Sequence, residues 1–527
     1  MFYGNKEDNN KMLKRSSGIL LPVSSLPSPY GIGTLGKAAY DFVDFLHGAG
    51  QSWWQVLPIG PTSYGDSPYQ SFSVFAGNPY FIDLDLLVED GLLTGEEVLS
   101  CSWGEDAEHV DYGTIFNGRF PVLRIAAKRG REKYGRDFDA FLRENGWVTS
   151  YAQFMAFKAY FGMKSWVEWD DEDLRMHRSD AVARYSDMLS DDIFFYAFVQ
   201  FLFDRQWNAL KKYAHEKGVS IIGDIPIYVA LDSADVWAEP YFFQLDEKNN
   251  PVRVAGVPPD AFSDDGQLWG NPLYDWDRME QDGFGWWIRR IDGAARRYDM
   301  VRFDHFRGLE SYWSVPADAK TARTGKWVKG PGKKLVNILN NWFVGLKFIA
   351  EDLGVITPEV ADLLKESGWP GMKVLEFAWS VDSYSEYLPH NHVRNSLCYV
   401  GTHDNDTLAG WIRSHDKKEI RHACAYLGAG SVKELAAAMM RAGMASVSDL
   451  FIAQMQDYLG IGSEGRINTP GTAGGNWTWR LKPGMLTEEL ADRIYEETLL
   501  YQRCEPRKTK ETDGKDKDTS VKEKTEH

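Results

Sequence analysis

The chain has 527 residues, 43% hydrophobic and 26% charged, the balance of a soluble globular protein. That length suits one large barrel with insertions, or about two to four ordinary domains. Against 59 basic residues stand 76 acidic ones, and the net charge of −17 disfavours nucleic acid or anionic membrane as partners and favours a neutral or cationic small ligand.

Taken in chain order, residues 1–15 are polar, lack the apolar core of a secretory signal and are expected to form a flexible arm. The run 18–23 "GILLPV" predicts a strand. "GIGTLG" at 31–36 is a literal G-x-G-x-x-G ahead of a helix expected over 35–48, but Pro22, Pro27 and Pro29 separate it from the strand. No acid follows at the end of the next strand, so dinucleotide binding is not expected. That next strand is 53–59 "WWQVLPI", and 60–84 is a turn-rich loop around Tyr64, Tyr69 and Tyr80. Residues 85–190 read as a mainly helical insertion, followed by a helix over 193–217 and a strand over 219–229 "VSIIGDIPIYV". The Pro/Gly/Asp-rich stretch 230–276 is too long for a simple connector, which points to function. Strands follow at 300–306 "MVRFDHF", 347–353 "KFIAEDL", 372–379 "MKVLEFAW", 396–403 "SLCYVGTH" and 451–457 "FIAQMQD", with helices expected over 331–345, 357–367 and 432–446. The tail 505–527 carries almost no apolar residue and is expected to be disordered. No run approaches the roughly 18 apolar residues of a membrane span.

Continuous apolar strands alternating with helices predict a parallel sheet buried on both faces. Eight such strands suit a (β/α)8 barrel, with its first part at 16–84 and the remainder at 191–504; a doubly wound sheet is the alternative. Four cysteines, at 101, 398, 424 and 504, form no C-x-x-C pair, so reduced thiols in a cytoplasmic protein are expected rather than disulfides or zinc. Neither a Walker A loop nor H-E-x-x-H appears, and no metal or cofactor is expected.

The chemistry-bearing residues gather at the ends of the predicted strands: Asp224, then Arg302 and Asp304, then Glu351 and Asp352, then His403, Asp404 and Asp406. In a barrel these ends share one face, so acids far apart in sequence meet there. Strand alternation puts Arg302 and Asp304 on one side, where the guanidinium favours the ionised carboxylate that a nucleophile needs. Three carboxylates in one cleft suit glycosyl transfer: one attacks, one donates a proton, one steadies charge. Glu351 and Asp352 are adjacent, and pattern alone does not say which faces inward. Rings beside Gly and Asn in the loop-like segments "QLWGNP" and "GNWTWR" offer flat faces for sugars.

These stretches together resemble the amylomaltases, bacterial 4-α-glucanotransferases also called disproportionating enzymes, of the α-amylase-like clan. The resemblance runs from about Gly18 to Arg503 through "GILLPVSSLPSPYGIGTLG", "GPTSYGDSPYQSFS", "GDIPIYVALDSADVW", "GQLWGNPLYDW", "VRFDHFRGLE", "IAEDLGVITP", "GTHDNDT" and "RINTPGTAGGNW". It implies a retaining double displacement on maltodextrins, with Asp304 as nucleophile, Glu351 as general acid/base and Asp404 as transition-state stabiliser. It further implies that Arg302, His403, Asp224 and Tyr69 hold the sugar at the cleaved position, and that Tyr64, Gln267, Trp269, His305 and Asn468 line neighbouring sugar sites. The alternatives are an α-glucan hydrolase on the same barrel and an inactive glucan-binding protein; oligomeric state is left open.

Overall fold

The computed structural model describes residues 13–63, 65–259, 263–472 and 474–507. Tyr64 lies outside them, as do 1–12 and 508–527 of the two expected terminal arms. Among the described residues the strands in chain order are β1 Ser16–Leu20, β2 Trp53–Gln55, β3 Ser220–Ile225, β4 Arg253–Val257, β5 Gln267–Pro272, β6 Met300–Phe303, β7 Ser311–Pro316, β8 Lys326–Lys329, β9 Lys347–Ala350, β10 Gly371–Val374, β11 Ser396–Tyr399 and β12 Leu450–Gln454. Eight of them pair in the order β10-β11-β12-β1-β2-β3-β6-β9, parallel throughout. The ring closes between β9 and β10, where the Ala350 amide donates to the Pro370 carbonyl at 3.0 Å. Each predicted strand falls on one of these eight, and the fold is the (β/α)8 barrel rather than the open sheet.

Strand alternation builds two cores. Leu20, Ile222, Met300, Ile349, Leu397 and Ile452 point inward and fill the barrel. Their neighbours point outward into the layer between strands and helices. The two phenylalanines beside Asp304 belong to that outer layer. Phe303 stacks on Trp287 with centroids 5.5 Å apart, and Phe306 packs on Trp369 at 5.6 Å. Two residues further along β3 and β6 the inward positions turn polar. Asp224 follows Ile222 and Arg302 follows Met300, and the two pair in register across β3 and β6.

Between β2 and β3 lie helices including Tyr112–Lys133, Gly135–Glu144 and Trp147–Tyr160, packed on the long helix Ser190–Glu216. The long helix supports the loop after β2, where Gly77 exchanges two hydrogen bonds with the Gln200 side chain, 2.7 and 2.9 Å long; from beyond β3, Asp235 Oδ2 accepts from the Val74 amide at 2.9 Å. The segment expected as a long loop, 230–276, instead contains the helix Ala234–Ala238 and strands β4 and β5. These join β7 and β8 in an antiparallel sheet, order β5-β4-β7-β8. Arg15 is tied down, donating to the Ser446 and Met444 carbonyls at 2.7 Å each, so the fold takes hold just inside the expected N-terminal arm.

The G-x-G-x-x-G stretch has a structural occupant. Gly36 precedes the helix Lys37–Gly48, and a Cβ there would lie 2.1 Å from the Asp83 carboxylate, which also accepts from Thr34 at 2.6 Å. The chain's own acid fills the place a phosphate would need.

Candidate active site

At the C-terminal mouth of the barrel one network joins five of its loops. The Arg302 guanidinium is 2.6 Å from Asp224 Oδ2 and 2.9 Å from Asp304 Oδ1. Both Arg302 and Asp224 are buried, whereas the Asp304 side chain is 28% exposed and open to a ligand. Burial alone would lower the Arg302 pKa; the carboxylates of Asp224 and Asp304 reverse this and raise it well above the ordinary guanidinium value. Asp224 is pushed upward by burial, against the pull of Arg302. Its Oδ2 also accepts from the Tyr69 hydroxyl at 2.8 Å, and its Oδ1 is buried without a protein partner.

Backbone bonds beyond the strand ends fix the two central acids. The Asp304 amide donates to the Ile225 carbonyl at 3.0 Å, the Glu351 amide to Phe303 at 3.1 Å, and the Phe306 amide back to Glu351 at 3.1 Å. His305 takes a left-handed φ of 54°, uncommon for a residue with a side chain, and its amide thereby donates to Glu351 Oε2 at 2.7 Å. The Leu353 amide donates to Oε1 at 2.9 Å. Burial and then the Asp304 charge push the Glu351 carboxyl up to about 8, against Arg302 and the two amides. Asp352 turns the other way. Its Oδ1 accepts from the Met372 amide at 2.6 Å and ties the end of β9 to β10 across the seam of the barrel. Of the adjacent acids, Glu351 faces the cleft and Asp352 closes the barrel.

His403 and Asp404 follow β11. The His403 ring stacks on Tyr69 at 5.3 Å between centroids, with Nε2 2.9 Å from the Tyr69 hydroxyl and 3.3 Å from Asp404 Oδ1. Burial lowers the His403 pKa, so the ring is neutral near pH 7. Asp404 is 43% exposed, and its Oδ1 accepts from Asn468 Nδ2 at 2.6 Å. Trp269 and Gln267 approach from β5. Trp269 meets the His305 ring edge-on at 5.0 Å and donates to Gln267 Oε1 at 3.2 Å. His305 is driven down to about 3 by burial and then by Arg307, and its Nε2 is buried without a protein partner.

A model of the family described as 4-alpha-glucanotransferase matches residues 21–487. The chain belongs to the 4-alpha-glucanotransferase family. It is 47% identical to the 4-alpha-glucanotransferase of Clostridium butyricum over 486 residues, 92% of this chain and 100% of that one. Against the 4-alpha-glucanotransferase of Thermus thermophilus it is 47% identical over 494 residues, 92% and 98% of the two chains. The solved structure of amylomaltase from Streptococcus agalactiae in complex with acarbose superposes with a TM-score of 0.91 at 43% identity, covering 93% of this chain and 100% of that one.

Every site residue expected from sequence and described here lies at this mouth of the barrel; Tyr64 lies outside the described residues. Asn468, expected on a sugar site, makes its side-chain bond to Asp404. Two residues escaped the sequence reading. Trp477, with φ 65°, walls Tyr69 and His403 at 5.8 and 6.0 Å, and its amide donates to Ile467 at 2.7 Å. Arg466, whose guanidinium donates to the Asp404 and Asn468 carbonyls, is the other. The motif "GNWTWR" marked the region without saying which ring turns inward. Among the described residues no His, Cys, Asp and Glu cluster could hold a metal, and no helix is long and apolar enough to cross a membrane.

Proposed function

We propose that the protein transfers an α-1,4-glucan segment from a donor maltodextrin to the 4-hydroxyl of an acceptor glucan or glucose, by a retaining double displacement. The observation that carries this is the contrast between two acids. Asp304 is ion-paired to Arg302 and open to the cleft, as a nucleophile must be. Glu351 is held toward its protonated form by burial and by the Asp304 charge, as a proton donor must be. In the first step Asp304 attacks the anomeric carbon while Glu351 protonates the leaving oxygen, and a glycosyl ester forms on Asp304. Esterification removes the Asp304 charge and with it one cause of the high Glu351 pKa. The same carboxylate can then take the proton of the incoming hydroxyl. Asp404 steadies positive charge at the anomeric centre, and the network of Tyr69, Asp224, Arg302 and His403 orients the sugar.

Transfer must outcompete water, so the acceptor needs a shaped site and the ester needs cover. Trp269, placed against His305 beside both acids, is proposed to supply it. Four free cysteines accord with action in the cytoplasm on soluble maltodextrins. Incubation with maltotriose tests the function. Glucose and a ladder of longer chains, with little net gain of reducing ends, is the expected result. Reducing ends that rise one for one with cleavage would identify a hydrolase instead, and an unchanged substrate an inactive binder.

A further inference from the structure

Asp404 differs from the other two acids in how it is held. Asp304 and Glu351 are set by backbone bonds running on from β6 and β9. Asp404 lies five residues beyond the end of β11 at Tyr399, on the loop 400–407, and its carboxylate is 43% exposed. Its geometry comes from a second loop, the one after β12. Arg466 reaches across between them: Nη2 donates to the Asp404 carbonyl and Nε to the Asn468 carbonyl, each at 2.8 Å. The Asn468 amide donates to the His403 carbonyl at 3.1 Å, and the Asn468 side chain donates to Asp404 Oδ1 at 2.6 Å. One planar fork therefore fixes the backbone of both partners in the bond that aims the carboxylate. Behind it, Glu376 lies under Gly401 and Asn405, buried beside Asp406 and Asp457, with Arg466 the cation that opposes this group.

We propose that Arg466 is a positioning residue of the reaction: through Asn468 it holds the Asp404 carboxylate in the orientation the transition state requires. The inference rests on the transferase reading above. Arg466 touches neither reacting acid's side chain, so its loss acts on Asp404 alone and leaves Asp304 and Glu351 with their own supports. A lysine keeps the charge facing Glu376 but is a point donor that cannot span two carbonyls in a fixed plane. The fork, rather than the charge, is thus the tested feature.

The test uses the full chain with maltotriose as donor and acceptor, comparing Arg466→Lys, Asn468→Ala and the double variant with wild type. Displacement of a reacting group by about 1 Å costs on the order of 10²-fold in rate, so Arg466→Lys is expected to lower kcat by about that factor. KM should change by less than about threefold, because an interaction needed only in the transition state appears in kcat. The double variant should be no slower than the slower single one, since residues that act as a unit are not additive. In Arg466→Ala, added guanidinium ion should restore part of the lost turnover while adding it to wild type should not. Arg466→Lys with wild-type kcat would overturn the proposal, as would losses that multiply in the double variant. A loss of kcat that vanishes once turnover is divided by the folded fraction, read from circular dichroism, would also overturn it. Wild-type enzyme that makes no ladder from maltotriose would instead reject the transferase reading, so the two failures are distinguishable.

Discussion

Replacing Glu351 by glutamine should abolish transfer and, at alkaline pH, make the protein more stable. The folded protein raises this carboxyl to about 8, from an ordinary glutamic acid value near 4.5 in the unfolded chain. Between those values the folded state binds the proton more tightly, so its contribution to stability is full below about pH 4.5 and is lost as pH rises through about 8. Over the roughly 2.5 units from pH 5.5 to pH 8, at about 1.4 kcal/mol per unit, wild type loses up to about 3.5 kcal/mol through this one group. Partial exposure to the cleft makes that a ceiling. Glutamine carries no proton to lose. It keeps one acceptor for the amides of His305 and Leu353 and forfeits the other, a pH-independent cost of about 1–3 kcal/mol. The quantity to follow is therefore the slope: thermal midpoints of wild type and Glu351→Gln at pH 5.5 and pH 9, scanned at one rate. The variant should gain on wild type by a few degrees between the two pH values. Parallel midpoints across that range would refute the assignment of Glu351 as an acid held protonated by burial and Asp304.

Four further outcomes are expected. Asp352→Asn, one residue away, keeps an acceptor for the Met372 amide and should retain transfer within a few-fold, measured as glucose release from maltotriose. Arg302→Met leaves Asp224 buried without its cation and should cost about 3–5 kcal/mol in urea unfolding, in addition to activity. Arg503 donates to the carbonyls of Met444, Ser16, Asp449, Gly443, Ser446 and Ser448 beneath the barrel, far from the acids; Arg503→Ala should cost more than about 3 kcal/mol while the folded fraction keeps normal kcat. Trp269→Ala should raise hydrolysis relative to transfer, seen as a higher ratio of new reducing ends to glucose; an unchanged ratio would remove Trp269 from the shielding role.

The parts of the molecule legible in sequence were those that a short window dictates. Runs such as "SIIGDI" and "MVRF" are apolar because both strand faces are buried, and they break at the acid where the strand ends. The antiparallel sheet was not legible. "RVAGV" and "QLWGNP" are short and carry Gly or Pro, and they become strands by pairing with each other and, through "RVAGV", with the distant β7. The prolines flanking the G-x-G-x-x-G stretch argue against a dinucleotide turn, but the acid packed against its last glycine, Asp83, is visible only in the fold. The choice between Glu351 and Asp352 turns on contacts with His305 and Met372, neither of which a local pattern contains. Arg302 was expected to pair with Asp304; that it pairs more closely with Asp224 follows from the register of β3 against β6. Arg466 escaped for the same reason, since both its bonds go to carbonyls, and a carbonyl has no sequence signature.

The most direct test of the central claim is to trap the covalent intermediate. A maltotriosyl fluoride needs no protonation of its leaving group, so the Glu351→Gln variant should form the glycosyl ester from it and fail to release it to an acceptor. Mass spectrometry of the digested protein should then find one maltotriosyl unit on the peptide that contains Asp304, and none after Asp304→Asn is added. A maltotriosyl unit on any other peptide, or fluoride release with no labelled protein at any time, would contradict Asp304 as the nucleophile of a double displacement.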